Sequence, residues 1–163
     1  MALSETEFIA RYGGIYEHSA WVAEKAAPIA AAASDMERVA EIMVDCVDNA
    51  SADQQLALIR AHPDLAGKAQ VAGELTEDST TEQASAGLDS CSAEEFERFQ
   101  TLNRDYHEKF GFPFVMAVRD SGRAEILAAF ENRLNNDRNT EFETALAEIH
   151  KIARLRLHAL EAN

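Results

Sequence analysis

The sequence predicts an all-α fold, a single-domain bundle of several helices over residues 1–163, and three observations predict it. Ser or Thr followed three residues later by Glu or Gln recurs ahead of apolar stretches, the pattern in which both side chains satisfy orphan N–H groups at a helix start. Within those stretches the apolar residues return every three or four positions, the period of one helix face. Only Phe112 through Val118 has the character of a short buried strand, and no second such run exists to pair with it, so it reads as a buried extended link.

Taken in order, Ser4-x-x-Glu7 opens a first helix with Phe8, Ile9 and Tyr12, stopped by Gly13-Gly14, which suit the left-handed position after a helix. A second stretch with Trp21 and Val22 runs into Pro28, expected to end it or to begin the next turn. The alanine-rich tract after it has no clear face. From Ser34-Asp35 the stripe Met36, Val39, Ala40, Met43, Cys46 and Val47 predicts a helix to about Asn49. Ser51-x-x-Gln54 opens another, with Leu56 and Ile59 inward, which breaks just before Pro63 because the residue preceding a proline is pushed out of the α region. That leaves His62 at a helix C-terminus, where the carbonyl ends favour an imidazolium.

Ala69 through Leu75 reads as loop with some helical turn. Ser79-x-x-Glu82 reads as a further helix start, in two ways. Glu82 reaches back to the Ser79 N–H, or the helix N-terminus offers N–H groups to an anionic ligand with Glu82 and Gln83 beside it. Ser92-x-x-Glu95 opens a long helix whose stripe of Phe96, Phe99, Leu102, Tyr106 and Phe110 is core, closed by Gly111. Backbone groups of the buried link that follows must find partners, and a polar ligand is one way to supply them. Ser121-Gly122 precedes a helix with Ile126, Leu127, Phe130 and Leu134. The last helix starts at Thr140-x-x-Glu143 and runs to about Leu160.

The charge narrows the function. With 29 Asp+Glu against 15 Lys+Arg the formal net charge is -14, which opposes broad contact with nucleic acid or an anionic membrane, so an anionic ligand must meet a local positive group. Arg156 is one: it falls inside the apolar arc Phe142, Ala145, Leu146, Ile149, Ala153 and Leu160, whereas Lys151 and Arg154 do not. A buried acid of this chain and a ligand carboxylate suit that guanidinium equally. Cys46 and Cys91, far apart and outside any C-x-x-C, suggest neither a disulfide framework nor a thiolate zinc site. No apolar run approaches a membrane span, no basic-plus-apolar leader precedes Ser4, and Glu161-Ala162-Asn163 is no peroxisomal signal, so a cytoplasmic protein is expected.

The chemistry concentrates in His62-Pro63-Asp64-Leu65-Ala66-Gly67-Lys68, where a histidine, a carboxylate and a lysine meet a proline and a glycine between helices. A lone histidine beside a proline is more often a solvated or packing residue than a catalyst. The wider pattern changes that weighting. Phe8…Tyr12-Gly13-Gly14…Glu17-His18-Ser19…Trp21, the His62 stretch, Ser79-x-x-Glu82-Gln83…Ala86-Gly87-Leu88, Asn103…Tyr106…Lys109-Phe110-Gly111-Phe112-Pro113-Phe114-Val115 and Glu148-Ile149…Ile152…Leu155-Arg156 together resemble the 2-oxo-4-hydroxy-4-carboxy-5-ureidoimidazoline (OHCU) decarboxylases, over nearly the whole chain.

The resemblance implies an all-helical fold of the OHCU decarboxylase type, often a homodimer, with no metal or organic cofactor. The implied reaction is decarboxylation of a small anionic ureidoimidazoline to S-allantoin, the last step from urate. It also implies His62 as the catalytic histidine with Glu82 acting beside it. Pro63, Ser79, Thr80, Thr81, Gln83, the backbone of Phe114, Val115, Met116, Ala117 and Val118, and Arg156 would bind substrate. Arg119-Asp120 departs from the family, where many relatives carry glycine. Two other readings stay open: a non-catalytic acidic helical interaction module, and a metal-dependent hydrolase using His62, Asp64 and Glu82, which lacks the paired-histidine spacing of a metal-binding helix.

Overall fold

A computed structural model of the protein describes residues 3–33, 35–67 and 73–162. Among them run eight α-helices and no strand: α1 (Glu5–Tyr12), α2 (Trp21–Ala30), α3 (Met36–Asp48), α4 (Ala52–Arg60), α5 (Glu77–Ser85), α6 (Ala93–Phe110), α7 (Arg123–Arg133) and α8 (Arg138–Ala162), with a 3₁₀ turn at Leu88–Ser90. The fold is all-α, as predicted. The segment read as loop with some helical turn lies outside the described residues as far as Ala72. No helix among the described residues is long and apolar enough to cross a membrane.

The helix starts at Ser51 and Ser92 are full capping boxes, each with the serine oxygen and the Gln54 or Glu95 side chain bonded reciprocally. Ser4 accepts from the Glu7 N–H, and Asp35 from the Glu37 N–H. Four details differ from expectation. Gly13 is right-handed at φ -61; what demands glycine there is space, since a Cβ would sit 2.7 Å from the Ile9 carbonyl oxygen. Helix α2 continues through Pro28 to Ala30, because a proline so close to the end removes one bond of the last turn only. Helix α8 begins at Arg138, ahead of the Thr140 box, with the Asp137 carboxylate accepting the Thr140 N–H at 2.7 Å. Helix α5 begins at Glu77, with Thr76 as its cap.

The chain divides into two compact units, Met1–Ala61 with Ile149–Asn163, and His62–Glu148. In the first, α2 packs against both α1 and α3, burying Phe8, Tyr12, Val22, Val39 and Met43, and Ile59 of α4 is buried as well. In the second, an aromatic cluster forms the core. Tyr106, Phe112, Phe114 and Phe130 are almost wholly buried, and the Phe114 and Phe130 rings stack with centroids 3.9 Å apart. Tyr106 meets Phe112, Phe114 and Phe130 edge-on, the arrangement that aligns ring edges with ring faces.

Candidate active site

His62 follows directly on the C-cap residue Ala61 of α4 and is 7% exposed. Pro63 fixes its own φ and holds the residue before it extended, so the chain leaves the helix sharply. The loop beyond is held from two helices. On α5, Gln83 accepts the Ala66 N–H at 3.0 Å and donates to the Asp64 carbonyl at 3.2 Å. On α6, Gln100 donates to the Ala66 carbonyl (2.7 Å) and Asn103 to the Leu65 carbonyl (3.0 Å), while the His107 Nε2 bonds the Asp64 carboxylate (2.8 Å). Residues 100, 103 and 107 lie three and four apart, so one polar stripe of α6 meets the loop residue by residue.

The loop is tight enough to need that support. Ala66 is left-handed at φ 51, a conformation costing roughly 1 kcal/mol for a residue with a Cβ. A Cβ at Gly67 would lie 2.7 Å from that of Asp64, so only glycine fits. The Asn103 Oδ1 is buried without a hydrogen-bond partner.

Helix α5 sorts the predicted residues by face. Ser79 and Gln83 are buried and Glu82 half-buried, while Thr80 and Thr81 are exposed. Ser79, Glu82 and Gln83 are spaced to share a face, and it is the face whose Gln83 grips the loop after His62. Thr80 points away and its hydroxyl donates back to the Thr76 carbonyl at 2.9 Å. The expected helix start at Ser79 is also corrected. Thr76 Oγ1 accepts the Ser79 N–H at 3.2 Å and the Thr80 N–H goes to the Thr76 carbonyl, so Ser79 through Gln83 lie inside the helix. Their N–H groups point into it and offer no anion cradle. Thr76 and Ser79 are both good cap residues, and although only Ser79 has a Glu three residues on, Thr76 wins because it places Glu77 and Asp78 in the first turn, against the positive end of the helix dipole.

The link from Phe112 to Val118 is neither helix nor paired strand and is largely buried, with Met116 and Ala117 half-exposed. Two of its backbone groups are taken by side chains. Arg133 donates to the Val115 carbonyl at 2.7 Å, and Glu148 accepts the Ala117 N–H at 3.2 Å. Arg133 also lies over the Phe114 ring, 4.3 Å from its centroid, and donates to the Glu141 carboxylate at 2.8 Å. Glu141 is wholly buried and accepts in addition from Tyr106 (2.6 Å) and Asn136 (2.9 Å). Burial first, then the bond to Glu141, pushes the Tyr106 hydroxyl above its ordinary range, so it remains a donor. After the link, Asp120 takes a left-handed turn at φ 67, within the Arg119-Asp120 pair that departs from the family pattern. Aspartate tolerates that region better than most side chains.

Arg156 belongs to the first unit. It is 5% exposed, and its Nη1 donates to the Glu17 carboxylate at 3.1 Å, with the Ile15 and Gly14 carbonyls at 3.3 and 3.5 Å. The Ser19 hydroxyl donates to the Glu17 carbonyl at 2.8 Å. The wheel argument thus located a buried arginine, and in this structure an acid of the chain partners it. Among the described residues no three His, Cys, Asp or Glu side chains gather as a metal-binding group; Asp64 is paired with His107 instead.

The pattern of motifs and the folded arrangement agree with comparisons to known proteins. The OHCU decarboxylase family model matches residues 1–158. The chain belongs to the OHCU decarboxylase family. It is 48% identical over 155 residues to the 2-oxo-4-hydroxy-4-carboxy-5-ureidoimidazoline decarboxylase of Haloferax volcanii, covering 95% of this chain and 89% of that protein. A crystal structure of (S)-allantoin synthase superposes with a TM-score of 0.77 at 36% identity over 96% of this chain, which spans 50% of that longer one. A crystal structure of OHCU decarboxylase in the presence of (S)-allantoin, 23% identical, covers 94% of this chain and 99% of its own with a TM-score of 0.76, and shares the fold.

Against that family background, several residues that build the site escaped the sequence reading. Gln100 and His107 flank Asn103, which the family resemblance already contains, and the i, i+3, i+7 spacing of the three is the signal for a polar stripe beside the aromatic face. Glu141 falls just outside the apolar arc that holds Arg156, one step beyond Ala145, so the wheel does not mark it as buried. Glu148 stands in the family resemblance without a role attached to it, and Arg133 leaves no comparable trace, since a charged residue at a helix end is ordinarily solvated.

Proposed function

We propose that this chain decarboxylates 2-oxo-4-hydroxy-4-carboxy-5-ureidoimidazoline to S-allantoin, the last step in converting urate to allantoin. The observation that carries the reading is the buried His62, set on a loop gripped by five side-chain hydrogen bonds from α5 and α6, in a member of this family. Side chains so held keep a proton-transfer group within reach of one bound atom, the main contribution a protein makes to a reaction of this kind.

In the reaction the bond between carbon 4 and its carboxylate breaks. The electron pair moves toward the adjacent ring C=N, whose nitrogen takes up a proton, and neutral carbon dioxide leaves. The substrate is its own electron sink, so a cofactor-independent carboxy-lyase suffices. His62 bonds the 4-hydroxyl and moves its proton as the enol becomes the ketone. Protonation of the neighbouring carbon from one face sets the S configuration. Glu82 orients His62 or crowds the departing carboxylate. Pro63, Ser79 and Gln83 shape the pocket from the loop and α5, Thr80 and Thr81 support it from the outer face of that helix, and the Phe114–Val118 backbone receives the urea-rich part. Arg156 meets an anionic group of the substrate.

The whole chain acts as one such domain, in the cytoplasm, as a homodimer, without nucleic-acid or membrane partners. The test is circular dichroism of allantoin formed while urate is oxidised in the presence of the preceding hydrolase. Rapid optically active product with the wild type, and loss of at least a thousandfold in rate with folded His62→Ala, is expected. Slow racemic product unchanged by the protein overturns the reading and favours the acidic interaction module.

A further inference from the structure

Two side chains on different helices hold the buried link by backbone groups two residues apart. Arg133 of α7 takes the Val115 carbonyl at 2.7 Å, and Glu148 of α8 takes the Ala117 N–H at 3.2 Å. Two residues is the spacing at which an extended chain returns its backbone groups to the same edge. The two bonds therefore pin one edge of the link, and they do so with opposite polarity, a donor at one point and an acceptor at the other. Between them lies Met116, half-exposed in a link whose residues from Phe112 to Val115 are buried.

The two pins differ in how they are supported. Arg133 is fixed three ways, by the Glu141 carboxylate, the Phe114 ring and the Val115 carbonyl. It belongs to the packed core. Glu148 holds the more accessible end, at the half-exposed Met116 and Ala117.

We propose that Glu148 is a positioning residue for the decarboxylation: by accepting the Ala117 N–H while Arg133 holds the Val115 carbonyl, it fixes the backbone of Met116 and Ala117 in the conformation that receives the substrate. The inference rests on the proposed function. What matters is the acceptor atom and its reach, not the charge. Glutamine at 148 retains a carbonyl oxygen at the same distance along the side chain, methionine has the length and helix propensity without a comparable acceptor, and aspartate has the charge one methylene short.

The experiment is steady-state kinetics of Glu148→Gln, Glu148→Met and Glu148→Asp on freshly generated OHCU, with thermal unfolding of each. Met and Asp are expected to raise KM about tenfold, the value of one hydrogen bond, with kcat within about threefold of wild type. Gln is expected to stay within about twofold in both, and the unfolding midpoints of Gln and Met to agree. Two of the variants address the same loss, so one that fails to fold leaves the other to decide. Normal KM in whichever of Met and Asp folds overturns the inference, and so does a Gln variant as impaired as Met, which would make the charge the active property. An inactive wild type overturns the proposed function and this inference together; an active wild type with unaltered variants overturns this inference alone.

Discussion

Two buried Arg–Glu pairs sit in the two units of this chain, and they are built differently. In the His62–Glu148 unit, Arg133 meets Glu141 at 2.8 Å while Tyr106 and Asn136 close on the same carboxylate at 2.6 and 2.9 Å. In the other unit, the Nη1 of Arg156 lies 3.1 Å from Glu17 and is shared with two backbone carbonyls at 3.3 and 3.5 Å. The first is a short, crowded network whose arginine continues into the Val115 carbonyl. The second is longer and divided among acceptors. Burying a charge is costly unless geometry and extra hydrogen bonds repay it: in the first pair the carboxylate collects them, and in the second the guanidinium does.

The largest expected effect breaks the first pair. Glu141→Ala strands the buried Arg133 guanidinium and the Tyr106 hydroxyl, and is expected to cost about 3–5 kcal/mol, read from the urea midpoint at constant m. Arg156→Lys sharpens the contrast. It retains a cation near Glu17, in a pair whose side chains are 4% and 2% exposed, but not the planar fork, so stability is expected to fall by about 1–3 kcal/mol while KM for OHCU rises at least tenfold. Equal stability losses in the two variants, with normal KM in the second, would erase the distinction between the pairs.

The same comparison explains what the sequence could and could not reveal. The helices were legible because their starts carry local chemistry: Ser51 with Gln54 and Ser92 with Glu95 close their boxes as written. Local chemistry also misled, at Ser79, because two overlapping patterns compete and the acids at Glu77 and Asp78 decide for Thr76. Arg156 was visible as a charge on an apolar arc, but its partner Glu17 lies 139 residues away on a segment without a helical period. The supports of the His62 loop were the hardest to see. Gln83, Gln100 and Asn103 act on backbone atoms of Asp64, Leu65 and Ala66, and a backbone atom has no letter in the sequence. Gln83 was singled out for contact with substrate, and both ends of its amide are engaged with that loop.

A smaller effect is expected from a third polar contact, in the unit that holds Arg156. The Tyr16 hydroxyl lies 2.9 Å from His150 Nδ1, and His150 Nε2 lies 3.2 Å from the Asp48 carboxylate. Burial lowers the affinity of His150 for a proton, outweighing the hydrogen bond and charge of Asp48, which favour it. The neutral ring that results accepts from Tyr16 at Nδ1 and donates to Asp48 at Nε2. Because the folded pKa lies below the unfolded value near 6.5, the unfolded chain binds the extra proton first as the pH drops. The contribution of His150 is therefore complete above about pH 6.5 and declines as the pH falls below it, until the folded form is protonated as well. Urea unfolding between pH 7.5 and about 5 is expected to show this loss in the wild type and a shallower one in His150→Gln. Parallel profiles for the two proteins would mean that the pH dependence comes from the carboxylates and that the ring is held no differently folded than unfolded.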